Sequence, residues 1–479
     1  MALSAAQVWE VRTTGSDTNG GAFKAGSSGT DYSQQAAAQV AVADAVTNGT
    51  TTITSATAAF VAAHVGNLIY VTGGTGSVAA GRYEVISVTN GTTIVVDRST
   101  GLTAGTGVML NLGGALASPT ELSSSRGMIG SNRAFVKSGT YATAAALTFS
   151  AVTNIIPGSS APATGLYGYA STRGDMGFAA GVDNRPVISM TTASATAISS
   201  GNSGWDIQGL AISWTGTSTA AGVSLTSANY STIRLVKVSQ SGNLGIGIST
   251  GVVAECEIDR PAGSYGIYCG SNAVAEGNYV HDGTCSVVGI HVQQGTALRN
   301  IVANLTTAGC NGINLSDVNS RAFYNTVDRA AQDGIQLSNG SALYGGCAAR
   351  GNVLTRSGRY GLNYNSTPTN AFIDGNAYYS NTSGNRSAPG TGGVFGVGTY
   401  VNGRDQDLSG DPYVNVTVSG GLLTNSDYRL NGTAGAGAQA RGAGQPSSFP
   451  GLTFAAYPDF GAIQHQDSGG GVNVFYLEG

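Results

Sequence analysis

NGINLSDVNSRAFYNTVDRAAQDGIQLS, residues 311–338, contains one short apolar unit twice. Gly312-Ile313-Asn314-Leu315 returns as Gly334-Ile335-Gln336-Leu337, 22 positions later. In each copy the apolar residues stand at i and i+2, the alternation of a β-strand. Upstream the unit continues as Gly289-Ile290-His291-Val292, Gly266-Ile267-Tyr268-Cys269, Gly245-Ile246-Gly247-Ile248 and Gly222-Val223-Ser224-Leu225. A weaker copy is Ala197-Ile198-Ser199-Ser200, and a downstream one is Gly361-Leu362-Asn363-Tyr364. Successive apolar leaders, from 198 to 362, are 21 to 27 positions apart.

A second column keeps the same period. Cys256-Glu257-Ile258 is followed by Asn278-Tyr279-Val280, Asn300-Ile301-Val302, Asn325-Thr326-Val327, Asn352-Val353-Leu354 and Asn376-Ala377-Tyr378. Two columns sharing one period of 20–25 residues indicate a solenoid. Leucine-rich repeats would add Leu-x-x-Leu-x-Leu and a helical half, which are absent. The physical solution is a parallel β-helix whose coils stack at about 4.8 Å, like residue on like residue. The Asn column is expected to be structural: Asn tolerates the left-handed conformation at tight turns, and stacked amides can hydrogen-bond along the rod.

Composition agrees with a folded, weakly charged rod. The chain has 479 residues, 73 of them Gly and 11 Pro, with 41% hydrophobic and only 10% charged residues. Its surface must therefore be largely Ser, Thr, Asn and Gly. Net charge is −4 and Lys occurs only at 24, 137 and 237. Nucleic acid needs clustered cations, so it is not an expected partner. No apolar run reaches the ~18 residues of a membrane span, and the first residues do not read as a signal peptide. The five Cys (256, 269, 285, 310, 347) are odd in number and lack CxxC spacing. They are expected to be five free thiols inside the rod, with no disulfide and no zinc site.

The chain resembles the right-handed parallel β-helix (pectate-lyase-like) superfamily. Gly127–Tyr141, GMIGSNRAFVKSGTY, resembles its entry into the first coils. The leader (Trp9-Glu10-Val11-Arg12, then GSDTNGGAF and GTDYSQQ) and the closing Pro458–Gln466 resemble segments of phage virion proteins of this fold. The resemblance implies a virion spike, fibre or capsid-decorating rod that binds surface polysaccharide. It also implies a homotrimer with other virion proteins as partners, assembled in the host cytoplasm and released by lysis. The alternatives are a polysaccharide lyase or glycoside hydrolase, and a bacterial surface adhesin. Polygalacturonase-like Asn-Thr-Asp, Asp-Asp, Gly-His-Gly and Arg-Ile-Lys motifs are missing, as is a basic residue beside an Asp cluster, so catalysis is not the first expectation.

The fold class read here is all-β. It has a leader over 1–35, a small β module over 36–112, the β-helix over 113–400, a C-terminal cap over 401–466 and a linker with a terminal strand over 467–479. In the module, Asn90-Gly91 between alternating runs signals a hairpin. At the end, Val472, Val474, Phe475, Tyr476 and Leu477 form an apolar strand on a Gly469-Gly470-Gly471 tether, the candidate anchor to a neighbour or to the virion.

Candidate chemistry lies three and four residues past the Asn column: Asp259-Arg260, His281-Asp282, Ala303-Asn304, Asp328-Arg329, Thr355-Arg356 and Tyr379-Ser380. In phase, these line one open face. Asp259, Arg260, Asp328, Arg329, Arg356 and Tyr379 are then candidate glycan contacts. Asp282 and Asp328, two coils or roughly 10 Å apart, are candidate acid and base, with His281 beside them. The plain alternative is a solvated polar stripe. His291, between Ile290 and Val292, should point outward. Neither His281 nor His291 has a ligand partner at helical or hairpin spacing, so no metal and no cofactor are expected.

Overall fold

The computed structural model describes residues 3, 6–101, 103–124, 127–149, 163–176, 178–179, 182–216, 218–227, 229–338, 346–364, 371–387, 400–401, 405–443 and 459–463. They form two compact units. One is Met1–Gly216 with Val223–Lys237; the other is Thr217–Gly222 with Val238–Gly479. The expected terminal strand, Val472 to Leu477, lies outside the described residues.

In the first unit the leader strand Gln7–Val11 pairs antiparallel with Ala22–Lys24 and parallel with Arg133–Lys137. Thr164–Tyr169, Trp205–Gln208 and Ser231–Arg234 follow in parallel, one rung per coil. Six strands between Val40 and Leu112 close into a separate barrel around Ile53, Ile69, Val85, Ile94 and Leu110. Asn90 and Thr93 pair across its Asn90-Gly91 turn. Arg82 fastens the barrel to the leader. Its buried guanidinium lies 5.9 Å from the Trp9 ring and donates to the Asp17 carbonyl (2.8 Å) and to Glu121 (2.9 Å).

In the second unit each coil contributes three strands, one to each of three parallel sheets. The first sheet carries the Gly-Ile repeat. Ile246, Ile267, Ile290, Ile313, Ile335 and Leu362 are direct partners along it, and all are fully buried. The glycine that precedes each of them is a steric requirement. A Cβ on Gly245, Gly266, Gly289 or Gly312 would lie 2.3–2.8 Å from the carbonyl oxygen of the next coil's glycine.

The Asn column is a continuous ladder. Asn300 Nδ2 donates to Asn325 Oδ1 (2.9 Å) and to the Ala275 carbonyl (2.9 Å), while the Asn300 amide donates to the same Asn325 oxygen (2.9 Å). Asn278, Asn325 and Asn352 repeat this pattern, and the Asn376 amide ends it on Asp405 (2.8 Å). One expectation is corrected: the left-handed residue is the one before each Asn. Glu255, Gly277, Arg299, Tyr324, Gly351 and Gly375 have φ between +54° and +66°, which leaves the Asn side chain free to turn inward.

The thiol expectation is also corrected. Cys285 and Cys310 stand one coil apart, Cα atoms 6.1 Å apart, and are joined by a disulfide; Cys256, Cys269 and Cys347 are free and buried. Spacing rules for local motifs miss such a pair, because a solenoid brings residues one period apart into contact.

Replacing Asn325 by Ala should cost about 3 kcal/mol, since it orphans the Asn300 amide and breaks bonds on both sides of the rung. Urea denaturation of the variant against the native chain measures this; a loss below about 0.5 kcal/mol, half the worth of one ordinary bond, would make the ladder incidental.

Candidate functional site

The strands of the third sheet hold the predicted polar column. Asp259, His281, Ala303, Asp328, Thr355 and Tyr379 are direct partners along it. The residues that follow them, Arg260, Asp282, Asn304, Arg329, Arg356 and Ser380, share a left-handed turn with φ from +51° to +56°. The coil phase therefore matches the sequence reading, but Asp282 and Asp328 occupy neighbouring columns rather than one.

The face is not open, which corrects the expectation of a solvated stripe. Tyr413–Ser419 and Leu422–Leu430 form an antiparallel hairpin, and it lies across these coils. Val414–Val418 lies on the first arm of this hairpin. Tyr413, Tyr428 and Leu430, with Leu408, Ala440 and Phe460, pack on Tyr279, Ala303, Val353 and Ala377. The closing segment joins the same cover, with the Gly461 amide on the Gly351 carbonyl (2.7 Å).

Asp328 is fully buried beneath this cover. Its carboxylate accepts from Thr355 Oγ1 (2.8 Å), Arg356 Nε (2.7 Å), Arg329 Nη1 (2.5 Å) and Tyr428 OH (3.1 Å). Arg356 continues to Asp411 at 2.6 Å. Four donors on one buried carboxylate are what a structural anchor requires. Arg329, Arg356 and half-buried Tyr379 thus belong to the seat of the hairpin.

At the hairpin tip the environment is more open. Asp282 accepts from the Leu423 amide (2.9 Å) and from Asn304 Nδ2, and Asn304 Nδ2 also donates to the Gly421 carbonyl (2.8 Å). His281 Nδ1 lies 3.0 Å from Asp282 and Nε2 lies 3.4 Å from Glu257, with its ring stacked on Tyr279 at 4.1 Å. Exposed Arg260 pairs with Asp259 (2.9 Å). Burial pulls the His281 pKa down, but hydrogen bonds to Asp282 and Glu257 and the charges of Asp259 and Glu257 outweigh it, and the net value rises to about 9. His281 is therefore an imidazolium among carboxylates. Burial raises the Asp282 pKa, yet His281, Asn304 and the Leu423 amide leave it lowered overall. Asp259, His281 and Asp282 each bring one ligand atom within 4.8 Å of the others, which could hold a cation if the His281 proton left.

A second constellation was only partly legible. Along the first sheet, Tyr268, His291, Asn314, Gln336 and Asn363 are direct partners; Tyr268 and His291 are partly exposed, and the three carboxamides are buried. Tyr268 and His291 are stacked 6° from parallel with centroids 5.2 Å apart, and Tyr265 leans on both at 5.5 and 5.2 Å. Tyr268 OH donates to Gln293 (2.9 Å), His291 Nε2 meets Ser316 (3.0 Å), and Asn314 donates to Gln336 (2.7 Å). Burial lowers the His291 pKa to about 4, so the ring is neutral at ordinary pH. The outward direction of His291 was read correctly. The two tyrosines were missed: alternation from inward Ile267 places Tyr268 outward, but the same rule places Tyr265 inward.

Residues 221–378 match the family described as right handed beta helix region. The chain is a right-handed parallel β-helix protein. Among solved structures, pectate lyase Pel9A is similar at 17% identity, covering 74% of this chain and 92% of that one, with a TM-score of 0.49. An alginate lyase from Paenibacillus sp. str. FPU-7 is similar at 17% identity over 54% of this chain and 91% of that one, TM-score 0.40. A GH87 α-1,3-glucanase from Streptomyces thermodiastaticus strain HF3-3 follows at 14%, 76% and 87%, TM-score 0.32. At these scores the likenesses say nothing about activity. No curated protein matches the sequence.

The His281 cluster makes stability pH-dependent. Its folded pKa of about 9 lies above the ordinary 6.5, so the stabilisation is complete below pH 6.5 and is lost as pH rises through 9. The loss should be roughly 3 kcal/mol between pH 6 and pH 10, from ~1.4 kcal/mol per unit. Denaturant midpoints across this range should fall in the native chain and change much less in His281→Gln; equal slopes would place the titration elsewhere.

Proposed function

We propose that this chain engages polysaccharide, and that the outer surface of its first sheet is the contact face. The observation that carries this is the partly exposed, stacked Tyr268–His291 pair with Tyr265 against it. Sugar rings offer apolar faces that stack on aromatic side chains and hydroxyls that pair with amides. One coil advances about 4.8 Å, close to the length of one sugar ring, so a column of equivalent side chains suits a repeating polymer. His291 is neutral here, which favours an uncharged glycan over an acidic one. The enzymatic alternative would rest on Asp259, His281 and Asp282 at the hairpin tip, where two carboxylates flank an imidazolium. Asp328, buried under the hairpin, is a poor candidate for acid or base.

Native electrophoresis through gels cast with dextran, mixed-linkage β-glucan or galactomannan tests the reading. At least one polymer should retard the chain, and Tyr268→Ala should remove the retardation, an effect of about tenfold or more in affinity. No retardation by any neutral polymer would reject the proposal; polymer cleared along the track would instead favour the enzymatic alternative.

We also propose a virion setting, on the resemblance of the leader and the closing segment to phage virion proteins. In it the chain is a homotrimeric spike or decorating rod, anchored through Val472, Val474, Phe475, Tyr476 and Leu477. Deleting residues 468–479 should leave a folded rod with reduced oligomeric mass in light scattering. Unchanged mass would remove the anchoring role.

A further inference from the structure

The first unit carries an aromatic surface of a different kind. Along the sheet that begins with the leader, Arg133, Gly165 and Asp206 are direct partners on three successive rungs. Two residues further along each strand stand Phe135, Tyr167 and Gln208. Gly165 leaves a gap that the Tyr167 ring fills: a Cβ on Gly165 would lie 2.2–2.4 Å from Tyr167 Cε2, Cζ and the hydroxyl oxygen. Tyr167 therefore lies flat along the sheet instead of standing up from it. Its hydroxyl donates to Asp206 Oδ2 (2.9 Å), and Gln208 Nε2 donates to Asp206 Oδ1 (2.6 Å), so the ring is fixed at its far end. Gln208 Oε1 is buried there without a donor. Phe135 braces the ring at 5.4 Å and is itself covered by the Arg173 guanidinium, 5.0 Å from its centroid. Arg133 is exposed on the opposite side, and among the described residues it has no ion-pair partner.

A flat, half-buried ring with an unpaired guanidinium at one edge and a carboxylate with an amide at the other is an amphipathic platform of a definite polarity. The rungs of Arg133 and Asp206 lie about 9–10 Å apart across Gly165. A pyranose stacked on the ring would face acceptors at one end and a fork of donors at the other. Asp206 accepts hydroxyl hydrogens; Arg133 matches a planar carboxylate bidentately. We propose that Tyr167, with Arg133 and Asp206, is a saccharide site for a carboxylate-bearing pyranose, separate from the neutral face of the second unit. It goes beyond the polysaccharide reading above and does not use its residues.

Isothermal titration of the full chain with a hyaluronan hexasaccharide and with its carboxyl-reduced form tests the site. The native chain should bind the carboxylated sugar about tenfold more tightly than the reduced one. Arg133→Gln, a change at an exposed position, should bring the two within about twofold. Gly165→Ala keeps the tyrosine but lifts its ring, and should weaken both sugars by about tenfold, as Tyr167→Ala should, with melting curves confirming that each variant is folded. In Tyr268→Ala the preference for the carboxylated over the reduced sugar should persist, so failure of the neutral face and failure of this site are read separately. The proposal is overturned if the native chain binds neither sugar, or if Arg133→Gln keeps the preference for the carboxylated form.

Discussion

A coil of this rod cannot satisfy its own backbone. Its strands are two to six residues long and pair with the coils before and after, so register between coils is the constraint on which all else depends. Three features hold it. The Ile column supplies buried apolar surface at one position per coil. The glycine before it permits close approach, because any Cβ would strike the next coil's carbonyl. The Asn ladder closes the turn between the other two sheets, each amide bonded to a main chain behind and a side chain ahead. A one-residue slip would fail all three at once, since it would bury the outward set and strand the amides.

Fixed register has a consequence for the outer surfaces. Side chains one period apart are placed next to each other whether or not they are local in sequence, so each sheet displays columns. On the third sheet the column from His281 to Arg356 is used internally. The hairpin Tyr413–Leu430 returns over it and supplies the hydroxyls and amides that its carboxylates and carboxamides need: Tyr428 for Asp328, the Leu423 amide for Asp282, the Gly421 carbonyl for Asn304. The apolar half of the hairpin sits at its base, on Ala303, Val353 and Ala377. Its tip adds polar contacts around His281 to the packing of Val416 and Leu423, so the charge on that ring bears on the less buried end of the cover.

The period made the rod legible before any coordinates: Ile246 through Leu362 stack as the 21–27 residue spacing requires. The polar column was legible for the same reason, down to the residue, because it rides on the same period. What covers that column was not, since its contact Tyr428 lies 100 residues from Asp328 in sequence, on a hairpin that breaks the repeat. The Cys285–Cys310 pair was missed although both residues sit inside the repeat, because a rule about local Cys spacing was applied where the relevant distance was one coil. The left-handed position was misplaced by one residue, from the Asn to its predecessor, since composition shows that a turn is present but not which of two neighbours bends. Alternation places Tyr268 outward but not Tyr265, which is two residues from inward Ile267; the contact of both rings with His291 depends on the adjacent coil.

The two aromatic surfaces show how the same scaffold can present different chemistry without changing its backbone. In the second unit the ring on one coil stacks against the ring on the next, and the column continues as buried carboxamides bonded within the protein. In the first unit Tyr167 has Phe135 on one neighbouring rung and Gln208 on the other; a glycine on its own strand lets it lie down, and the two neighbouring rungs contribute charges of opposite sign at its ends. The difference comes from one position. With a side chain at residue 165 the ring would have to rise, its hydroxyl would leave Asp206, and Arg133 and Asp206 would face each other across a gap with nothing flat between them. Substituting a single outward residue per coil therefore changes what a rung can bind while the inward Ile, Gly and Asn columns keep the coil in place, which is why binding specificity on such a rod is separable from its stability.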